Sequence, residues 1–387
     1  MRREEDNVAL TLVHTADWHL GMRFRQFERE DAMKLSRARL EVIDRILGQA
    51  EQNRADAVLC AGDLFDEAKP NEDWWMGLAK TLSNSRFSRR PIFLLPGNHD
   101  PIVPGSLWEP AHPFRRMLPA HVHVVDHDDF TFVLKDEAVL HAAPCRSYST
   151  QKDLALSLPA RAPGDERIRI GMVHGSTFDM KDCQTNFPIA KDAVTQRGFD
   201  YLAIGDTHGF RVVPPDAQVP TVYPGAPEPT SFGEKDPGHV ALVFINRRRM
   251  VRLERVRVAQ WDWETRTVRN MTELRKLRDR GDLVYRVLQL KVKMSVSAEQ
   301  YDEAEQILCQ LKGTEAVHGR VGILLLERQL ELDMQNIEEL FASLPETLQI
   351  AARRLQVAEK GSDAEVARRA LYHLYQLGKA ETTKRGA

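Results

Sequence analysis

Short apolar runs alternate with amphipathic segments along the first hundred residues. The runs are "VALTLV" from Val8, "AVLC" from Ala57 and "IFLL" from Ile92. Between them, two sets of apolar residues recur at helical spacing: Leu40, Ile43, Leu47 and Ala50, and then Trp75, Leu78, Ala79 and Leu82. Continuous apolar strands separated by amphipathic helices are typical of a parallel sheet covered by helices on both faces.

The strand pattern changes between about residues 121 and 260. Shorter apolar runs follow one another there: "HVHVV", "FTFVL", "AVLHAAP", "IRIGMVHG", "YLAIGD" and "HVALVFI". We predict that they form a second, more mixed sheet packed on the first, with "NRRRMVRLERVRV" as the return strand of a hairpin after Ile245. The expected fold class is therefore α/β, a two-sheet sandwich flanked by helices.

A smaller module follows. "LVYRVLQLKVKM" and "RVGILLLERQL" predict two strands, separated by a helix that Ser297 and Gln300 cap and that ends near Gly313. From about Asp333 the pattern is helical, and Ser362 and Glu365 are predicted to cap a last helix. We therefore predict three regions: a large α/β domain over residues 1–260, a small α/β domain over 261–332 and a helical tail over 333–387.

Composition narrows the class of protein. The net charge of −2 over 387 residues means that any contact with a polyanion must use local patches. Four scattered cysteines argue against a disulfide framework or a structural zinc site and suit a reducing compartment. The acidic start "MRREEDNVAL" does not resemble a signal peptide, and no apolar run approaches the roughly 18 residues of a membrane span. We expect a cytoplasmic protein without a membrane partner.

Side chains that can bind metal ions follow five of the predicted strands. They are Asp17 and His19 in "ADWHLG", Asp63 in "GDLFD", Asn98 and His99 in "PGNHD", His174 in "VHGS", and Asp206 and His208 in "GDTHG". Ligands collect at the carboxyl ends of strands in α/β sheets, so we expect these turns to converge on one cleft. Nitrogen and oxygen ligands without thiolates favour manganese, magnesium or iron over structural zinc.

Each turn also has a simpler interpretation. Asp63 alone would be a turn residue after a strand, since Gly-Asp is a common loop dipeptide, and His174 alone would be a hydrogen-bonded core histidine. All five turns in this order favour a metal site. An aspartate that bridges two ions about 3.5–4 Å apart is typical of phosphoester hydrolysis, in which the ions activate water and neutralise the phosphoryl oxygens.

The ordered set D-x-H, G-D, G-N-H-D, H and G-x-x-H resembles the calcineurin-like metallophosphoesterases. The wording "HTADWHLG", "AGDLFD" and "LPGNHD" further resembles their DNA-repair nuclease branch, typified by SbcD. The resemblance implies a first ion held by Asp17, His19, Asp63 and His208, and a second ion held by Asp63, Asn98, His174 and Asp206. It also implies that His99 faces the scissile phosphate without binding metal, and that Asp66 orients the His99 ring.

One position departs from the family pattern, which usually ends in G-H-x-H. Here "GDTH" places Asp206 where the first histidine belongs. A carboxylate can replace an imidazole as ligand and favours a harder ion, so we expect two manganese ions per subunit, with magnesium as the alternative.

The resemblance implies a two-metal DNA nuclease in repair or end processing, with the small domain as a capping domain. It also implies an SMC-like ATPase with a coiled coil as partner of the helical tail, and leaves a homodimer open. Arg23 and Arg25, which follow the first motif, are the candidate DNA contacts. The arginine run from Arg247 to Arg257 is either a solvated strand face or a phosphate-binding surface. The rival functions are a phosphatase or small-molecule phosphodiesterase of the same superfamily, and a DNA-end-binding scaffold with weak catalysis.

Overall fold

A computed structural model describes residues 8–87, 89–177, 186–314, 317–332, 341, 345–358, 366–367, 370–375 and 377. The chain clusters into two compact units, Met1–Asp262 and Trp263–Ala387. The predicted boundary at residue 332 stays a prediction. Within the described residues, no helix is both long and apolar enough to cross a membrane.

The first unit contains the following strands in chain order: β1 (Val8–Thr15), β2 (Ala57–Cys60), β3 (Ile92–Leu94), β4 (Val122–Val124), β5 (Phe130–Leu134), β6 (Ala138–Ala142), β7 (Ile168–His174), β8 (Ser176–Thr177), β9 (Pro188–Ile189), β10 (Tyr201–Gly205), β11 (Arg211–Val213), β12 (Thr221–Tyr223), β13 (His239–Asn246) and β14 (Val251–Arg257). Its helices are α1 (Arg29–Gln52), α2 (Glu72–Asn84), α3 (Pro113–Met117), α4 (Leu154–Ser157) and α5 (Ala193–Gln196).

Two six-stranded sheets form the centre of this unit. The first has the order β14-β13-β1-β2-β3-β4, and the second has the order β11-β12-β10-β7-β6-β5. Strands β1 to β3 run parallel, as the buried apolar runs predict; β4 continues the parallel series, and β13 returns antiparallel to β1. One apolar core lies between the sheets and joins, for example, Leu12, Leu59 and Phe93 of the first sheet to Leu140 and Met172 of the second. The two-sheet α/β fold class is confirmed.

Helices cover the outer faces of both sheets. The predicted faces of α1 and α2 pack against the first sheet, with Ile43, Leu47, Trp75 and Leu78 buried. The shorter α4 and α5 pack with the outer face of the second sheet. Asn71 caps α2 by accepting the N–H of Asp73 at 2.9 Å, which satisfies one of the free donors of the first turn.

Three strands belong to a different sheet from the one predicted. β4, β13 and β14 lie in the first sheet, not in the second. β4 continues the parallel series beside β3, and β13 pairs with β1 more than 200 residues earlier in the chain. The hairpin of β13 and β14 is confirmed. Its placement is decided by pairing with β1, which the local pattern of apolar residues does not encode.

A buried arginine ties α1 to two loops. Arg39 is 1% exposed, and its guanidinium donates to the carbonyl of Trp18 at 2.9 Å and to those of Glu228 and Pro229 at 3.3 and 2.8 Å. Burial lowers the pKa of Arg39 to about 10, so the group stays charged at neutral pH. These bonds fix the loop after β1 against the segment that begins at Glu228.

The second unit has its own small sheet and core. Its elements are β15 (Asp262–Val268), α6 (Met271–Arg278), β16 (Arg286–Val296), α7 (Ala298–Lys312), β17 (Gly313–Thr314), β18 (Val317–His318), β19 (Ile323–Leu332) and α8 (Glu346–Ala358). β16 and β19 pair in parallel next to β15. The predicted capping box of Ser297 and Gln300 is present, and α7 ends at Lys312 with Gly313 as its C-cap, close to the predicted end. The predicted cap at Ser362 and Glu365 lies outside the described residues.

Candidate metal centre

The five predicted turns meet at one edge of the two sheets. β1, β2 and β3 run parallel in the first sheet, and β7 and β10 run parallel in the second. The structure brings together the side chains that follow them, which are those of Asp17, His19, Asp63, Asn98, His99, His174, Asp206 and His208. Their individual roles as ligands stay predictions.

Asp63 lies in the middle of this cluster. Its Oδ1 accepts the backbone N–H of His99 at 2.9 Å. Its Oδ2 lies 3.3 Å from His174 Nε2 and 3.9 Å from His19 Nε2. The carboxylate therefore faces imidazoles from both sheets, which is the position that a bridging ligand requires.

Two glycines make room for these groups. A Cβ on Gly97 would lie 2.1 Å from Asp63 Oδ1, and a Cβ on Gly62 would lie 2.1 Å from His174 Nδ1. Both distances are far below van der Waals contact. Gly62 also has a φ of 99°, which side chains rarely adopt. The glycines of "AGD" and "PGN" are thus required by the close approach of the two turns.

Four candidate ligands have a left-handed backbone: φ is 56° at Asp17, 45° at His19, 53° at Asp63 and 97° at Asp206. Such conformations cost about 1–3 kcal/mol each outside glycine and persist only where the surroundings impose them. Here Asp17 N–H donates to the carbonyl of Gly62 at 3.0 Å, and His19 N–H donates to that of Asp63 at 3.0 Å. The two turns hold each other in the conformation that points their side chains inward.

Asp17, His19 and His208 form the first group of potential metal ligands. The Nε2 atoms of His19 and His208 are 3.2 Å apart, so both rings point at the same place. His208 Nδ1 lies 2.9 Å from both Thr230 Oγ1 and Glu234 Oε1. Since the carboxylate can only accept, Nδ1 carries the proton in that contact, and Nε2 can present a lone pair to a cation.

Asp63 and His174 lie at the second position, together with Asn98. His174 Nε2 is 2.8 Å from Asn98 Oδ1, and its Nδ1 donates to the carbonyl of Ala61 at 2.9 Å. Asp206 Oδ1 is farther away, at 3.9 Å from His174 Nε2, and Asp206 N–H donates to Asp17. Asp206 thus borders the second position, and its predicted role as a ligand of the second ion stays a prediction.

Burial and charge shift the pKa values of this cluster in opposite directions. Burial raises the pKa of Asp17 to about 6 and lowers that of His19 to about 4. Burial would also lower the pKa of His174, but Asp63, Asp17 and Asp206 together raise it to about 10. Burial opposes ionisation of Asp63, yet His174 and His19 hold the pKa of Asp63 well below its ordinary value. The crowded carboxylates therefore favour positive charge at the centre.

His99 lies at the mouth of the centre. Its side chain is 47% exposed, and its ring meets that of His19 edge-on at 4.8 Å between centroids. Asp66 contacts His99 mainly through its backbone carbonyl, 3.3 Å from His99 Nδ1, while its carboxylate lies 3.9 Å away. The same carboxylate is closer to His19, at 3.3 Å from Nδ1. That Asp66 orients His99 stays a prediction, and the distances add a contact with His19.

Two supporting carboxylates were missed by sequence reasoning. Asp100 is buried and accepts the N–H groups of Gly97 and Phe65 at 2.7 and 3.1 Å, which shapes the turn that carries Asn98 and His99. Its place directly after the G-N-H motif could have pointed to it. Glu234 lies 26 residues after His208, and nothing in the local sequence signals their contact.

The donors present fit divalent cations. Carboxylates and imidazoles of the described residues converge with their ligand atoms within 4.8 Å of one another in three groups: Asp17 with His19 and His208, Asp17 with Asp63 and His174, and His19 with Asp66 and His99 at the mouth. The Nδ1 atoms of His174 and His208 have acceptors of their own, so the Nε2 atoms face the centre. Asp17, His19, Asp63 and His208 would hold one ion, and Asp63, Asn98, His174 and Asp206 the other.

Comparison with known proteins identifies the family of the chain. Residues 10–210, more than half of the chain, match the family described as calcineurin-like phosphoesterase. The chain belongs to the calcineurin-like phosphoesterase family. It is 25% identical over 279 residues to the uncharacterised metallophosphoesterase YhaO of Bacillus subtilis (strain 168), a match that covers 68% of this chain and 65% of YhaO. The crystal structure of TT1561 of Thermus thermophilus aligns with 64% of this chain and 99% of that one, at 13% identity and a TM-score of 0.38.

The family assignment agrees with the donor set of the centre, which suits divalent cations. The matched region includes all five turns of the centre, from Asp17 to His208. The chain spans 65% of the length of YhaO, the curated relative described above.

We expect Asp17→Asn to stabilise the metal-free chain and to weaken its response to metal. The pKa of Asp17 is raised to about 6 from 3.8, so its ionisation at about pH 7.5 opposes folding. The gain over the parent should begin to shrink as the pH falls through about 6 and should disappear only well below 3.8, where the carboxyl is protonated in both the folded and the unfolded chain. Added Mn²⁺ should raise the melting temperature of the parent more than that of the variant. Thermal unfolding with chelator and with Mn²⁺ measures both effects.

The matched control is Asp129→Asn, at an exposed loop position outside the centre. It should change neither the metal-free stability nor the response to Mn²⁺. Equal melting temperatures for Asp17→Asn and the parent in chelator, with equal increments from Mn²⁺, would contradict the assignment of Asp17.

Proposed function

We propose that this chain is a manganese-dependent nuclease that hydrolyses phosphodiester bonds of DNA in repair or end processing in the cytoplasm, as the resemblance to SbcD-type nucleases implies. The observation that carries the proposal is the surface next to the centre. A cleft of about 310 Å³ is lined by Gly21, Met22, Arg23, Arg25, Asp66 and Glu67. Two arginines thus lie beside a centre suited to phosphoester chemistry, where a polyanionic strand would need positive charge.

Each group of the centre has a definite task in this reaction. A pair of divalent ions would supply the Lewis acidity for attack on the phosphodiester. Asp63 and its neighbours would hold these ions, and the half-exposed His99 ring would face the substrate. His99 would protonate the leaving oxygen or stabilise the developing charge, with Nδ1 donating to the Asp66 carbonyl and Nε2 turned toward the phosphate.

The decisive experiment compares parent and His99→Ala on labelled linear, hairpin and circular DNA, with Mn²⁺ and with chelator. The parent should cut DNA only with Mn²⁺. His99→Ala should lose about 10²–10⁴-fold in rate, the range for general acid catalysis, while Mn²⁺ binding by calorimetry stays unchanged. Hydrolysis of a small chromogenic ester without cleavage of any DNA would favour a phosphatase or small-molecule phosphodiesterase. DNA binding without cleavage would favour the end-binding scaffold.

Arg23 and Arg25 should contribute phosphate contacts. Both are exposed, and Arg23 lies 3.9 Å from Glu67, an exposed pair that a phosphate could replace. In the double variant Arg23→Ala/Arg25→Ala, DNA affinity should fall. The negative slope of log affinity against log salt should become shallower by about 2, since each phosphate contact contributes about −0.9 to it. The measurement is a salt titration of binding with chelator present.

The arginine run from Arg247 in the β13–β14 turn to Arg257 at the end of β14 supplies the matched control. Arg247 and Arg252 are exposed and pair with Glu137 and Glu254. Arg247→Ala/Arg252→Ala should leave the salt slope unchanged, which is the outcome for a solvated strand face. If this pair lowers the slope and the cleft pair does not, the DNA path runs along β14 instead.

We propose further that the C-terminal helical region recruits an SMC-like ATPase with a coiled coil. Ile350 and Val357 lie seven residues apart on α8 and are 46% and 75% exposed. Apolar residues at this spacing suit docking of a helix. Ile350→Asp/Val357→Asp should retain hydrolysis of a small ester but reduce processing of long DNA with the cognate ATPase. Met250→Asp, at an exposed apolar position of the first unit, should reduce neither. Full processing by the α8 variant would rule out this docking face.

A further inference from the structure

The segment from Glu228 to Glu234 supports His208 from behind the metal centre. It contributes two side chains to His208 Nδ1: Thr230 Oγ1 and Glu234 Oε1, each at 2.9 Å. Both side chains are sheltered, since Thr230 is 4% exposed and the Glu234 side chain is 11% exposed. Burying a carboxylate costs free energy, so the contact of Glu234 with a candidate metal ligand indicates that this carboxylate has a role at the centre.

Glu234 is itself held in place. Its Oε2 accepts the N–H of Thr230 at 3.0 Å, and its Oε1 accepts the Thr230 hydroxyl. Because the carboxylate is fixed on both oxygens, the direction of its bond to His208 Nδ1 is fixed as well. This contact also fixes the tautomer, because an ionised carboxylate accepts and cannot donate. Nε2 can then present its lone pair, and it lies 3.2 Å from His19 Nε2.

The base of the segment is anchored to the loop that carries the other ligands. Arg39 donates to the carbonyls of Glu228 and Pro229, and also to that of Trp18, between Asp17 and His19. The Glu228 carboxylate accepts from Arg45 at 2.6 Å and from Gln260 N–H at 2.6 Å. The segment is therefore tied at one end to the loop after β1 and at the other end to His208.

We propose that Glu234 is a positioning residue that sets the affinity of the first metal ion by holding His208 with Nε2 toward it. Thr230 orients Glu234, and Arg39 holds the supporting segment in a fixed position relative to the loop that carries Asp17 and His19. The inference rests on the metal centre of the proposed function but not on DNA as the substrate. Its readout is metal binding by the full chain without substrate, so its failure and the failure of the nuclease proposal are distinguishable.

The test is a double-mutant cycle on Mn²⁺ affinity, measured by calorimetry at constant pH. Glu234→Ala should weaken binding of the first ion by about 10–100-fold, the usual loss for a residue that orients a metal-binding histidine. Glu234→Gln keeps an acceptor oxygen for Nδ1–H and should lose less. If Glu234 acts through His208, the double variant Glu234→Ala/His208→Ala should bind no more weakly than His208→Ala alone.

Asp236→Asn is the matched control. Asp236 lies two residues beyond Glu234, and its carboxylate pairs with Arg255 outside the centre. It has a φ of 62°, a conformation that asparagine tolerates. This variant should bind Mn²⁺ like the parent, which separates the effect of Glu234 from a general change in the segment.

Two results would overturn the proposal. Parent-like Mn²⁺ affinity in Glu234→Ala would show that His208 needs no support from Glu234. If the losses in Mn²⁺ affinity of Glu234→Ala and His208→Ala add in the double variant, Glu234 acts on the fold of the segment and not through His208. A purely structural effect would persist when the histidine is gone. Should Glu234→Ala fail to fold, the isosteric Glu234→Gln and its double variant with His208→Ala decide the question by the same criterion.

Discussion

The buried carboxylate of Asp63 is the point on which the arrangement of this centre depends. It lies between imidazoles from the two sheets, with His174 Nε2 at 3.3 Å and His19 Nε2 at 3.9 Å, and it also accepts the N–H of His99. A buried charge of this kind is tolerated only where partners surround it. The carboxyl ends of strands from both sheets must therefore meet at Asp63, and the turns around it must leave no space for a side chain at Gly62 or Gly97.

The support for this centre is distributed over distant parts of the chain. Left-handed backbone at Asp17, His19 and Asp63 points side chains inward at a conformational cost, which the hydrogen bonds between the two turns offset. Arg39 and Glu234 extend the support outward, one by binding backbone carbonyls and the other by binding His208. A centre with crowded carboxylates needs such support, because the charges repel one another when no cation neutralises them.

The elements of the fold were predicted well where the signal is local. The buried faces of α1 and α2 follow from spacing of three and four residues, and the capping box of Ser297 and Gln300 follows from two polar residues at the start of a helix. The assignment of strands to sheets was less successful. β4, β13 and β14 join the first sheet, since β13 pairs with β1, and such pairing depends on residues far apart in the chain.

The sequence by itself determined which side chains can form the centre, because D-x-H, G-N-H-D and G-x-x-H place donors directly after strands whose carboxyl ends meet in an α/β sheet. Only the tertiary structure decided which histidine each neighbouring carboxylate contacts. Asp66 turns its carboxylate toward His19 and its carbonyl toward His99, and Glu234 reaches His208 across 26 residues. Spacing along the chain fixes what a single turn presents, whereas contacts between turns depend on how two sheets and a buried arginine bring distant segments together.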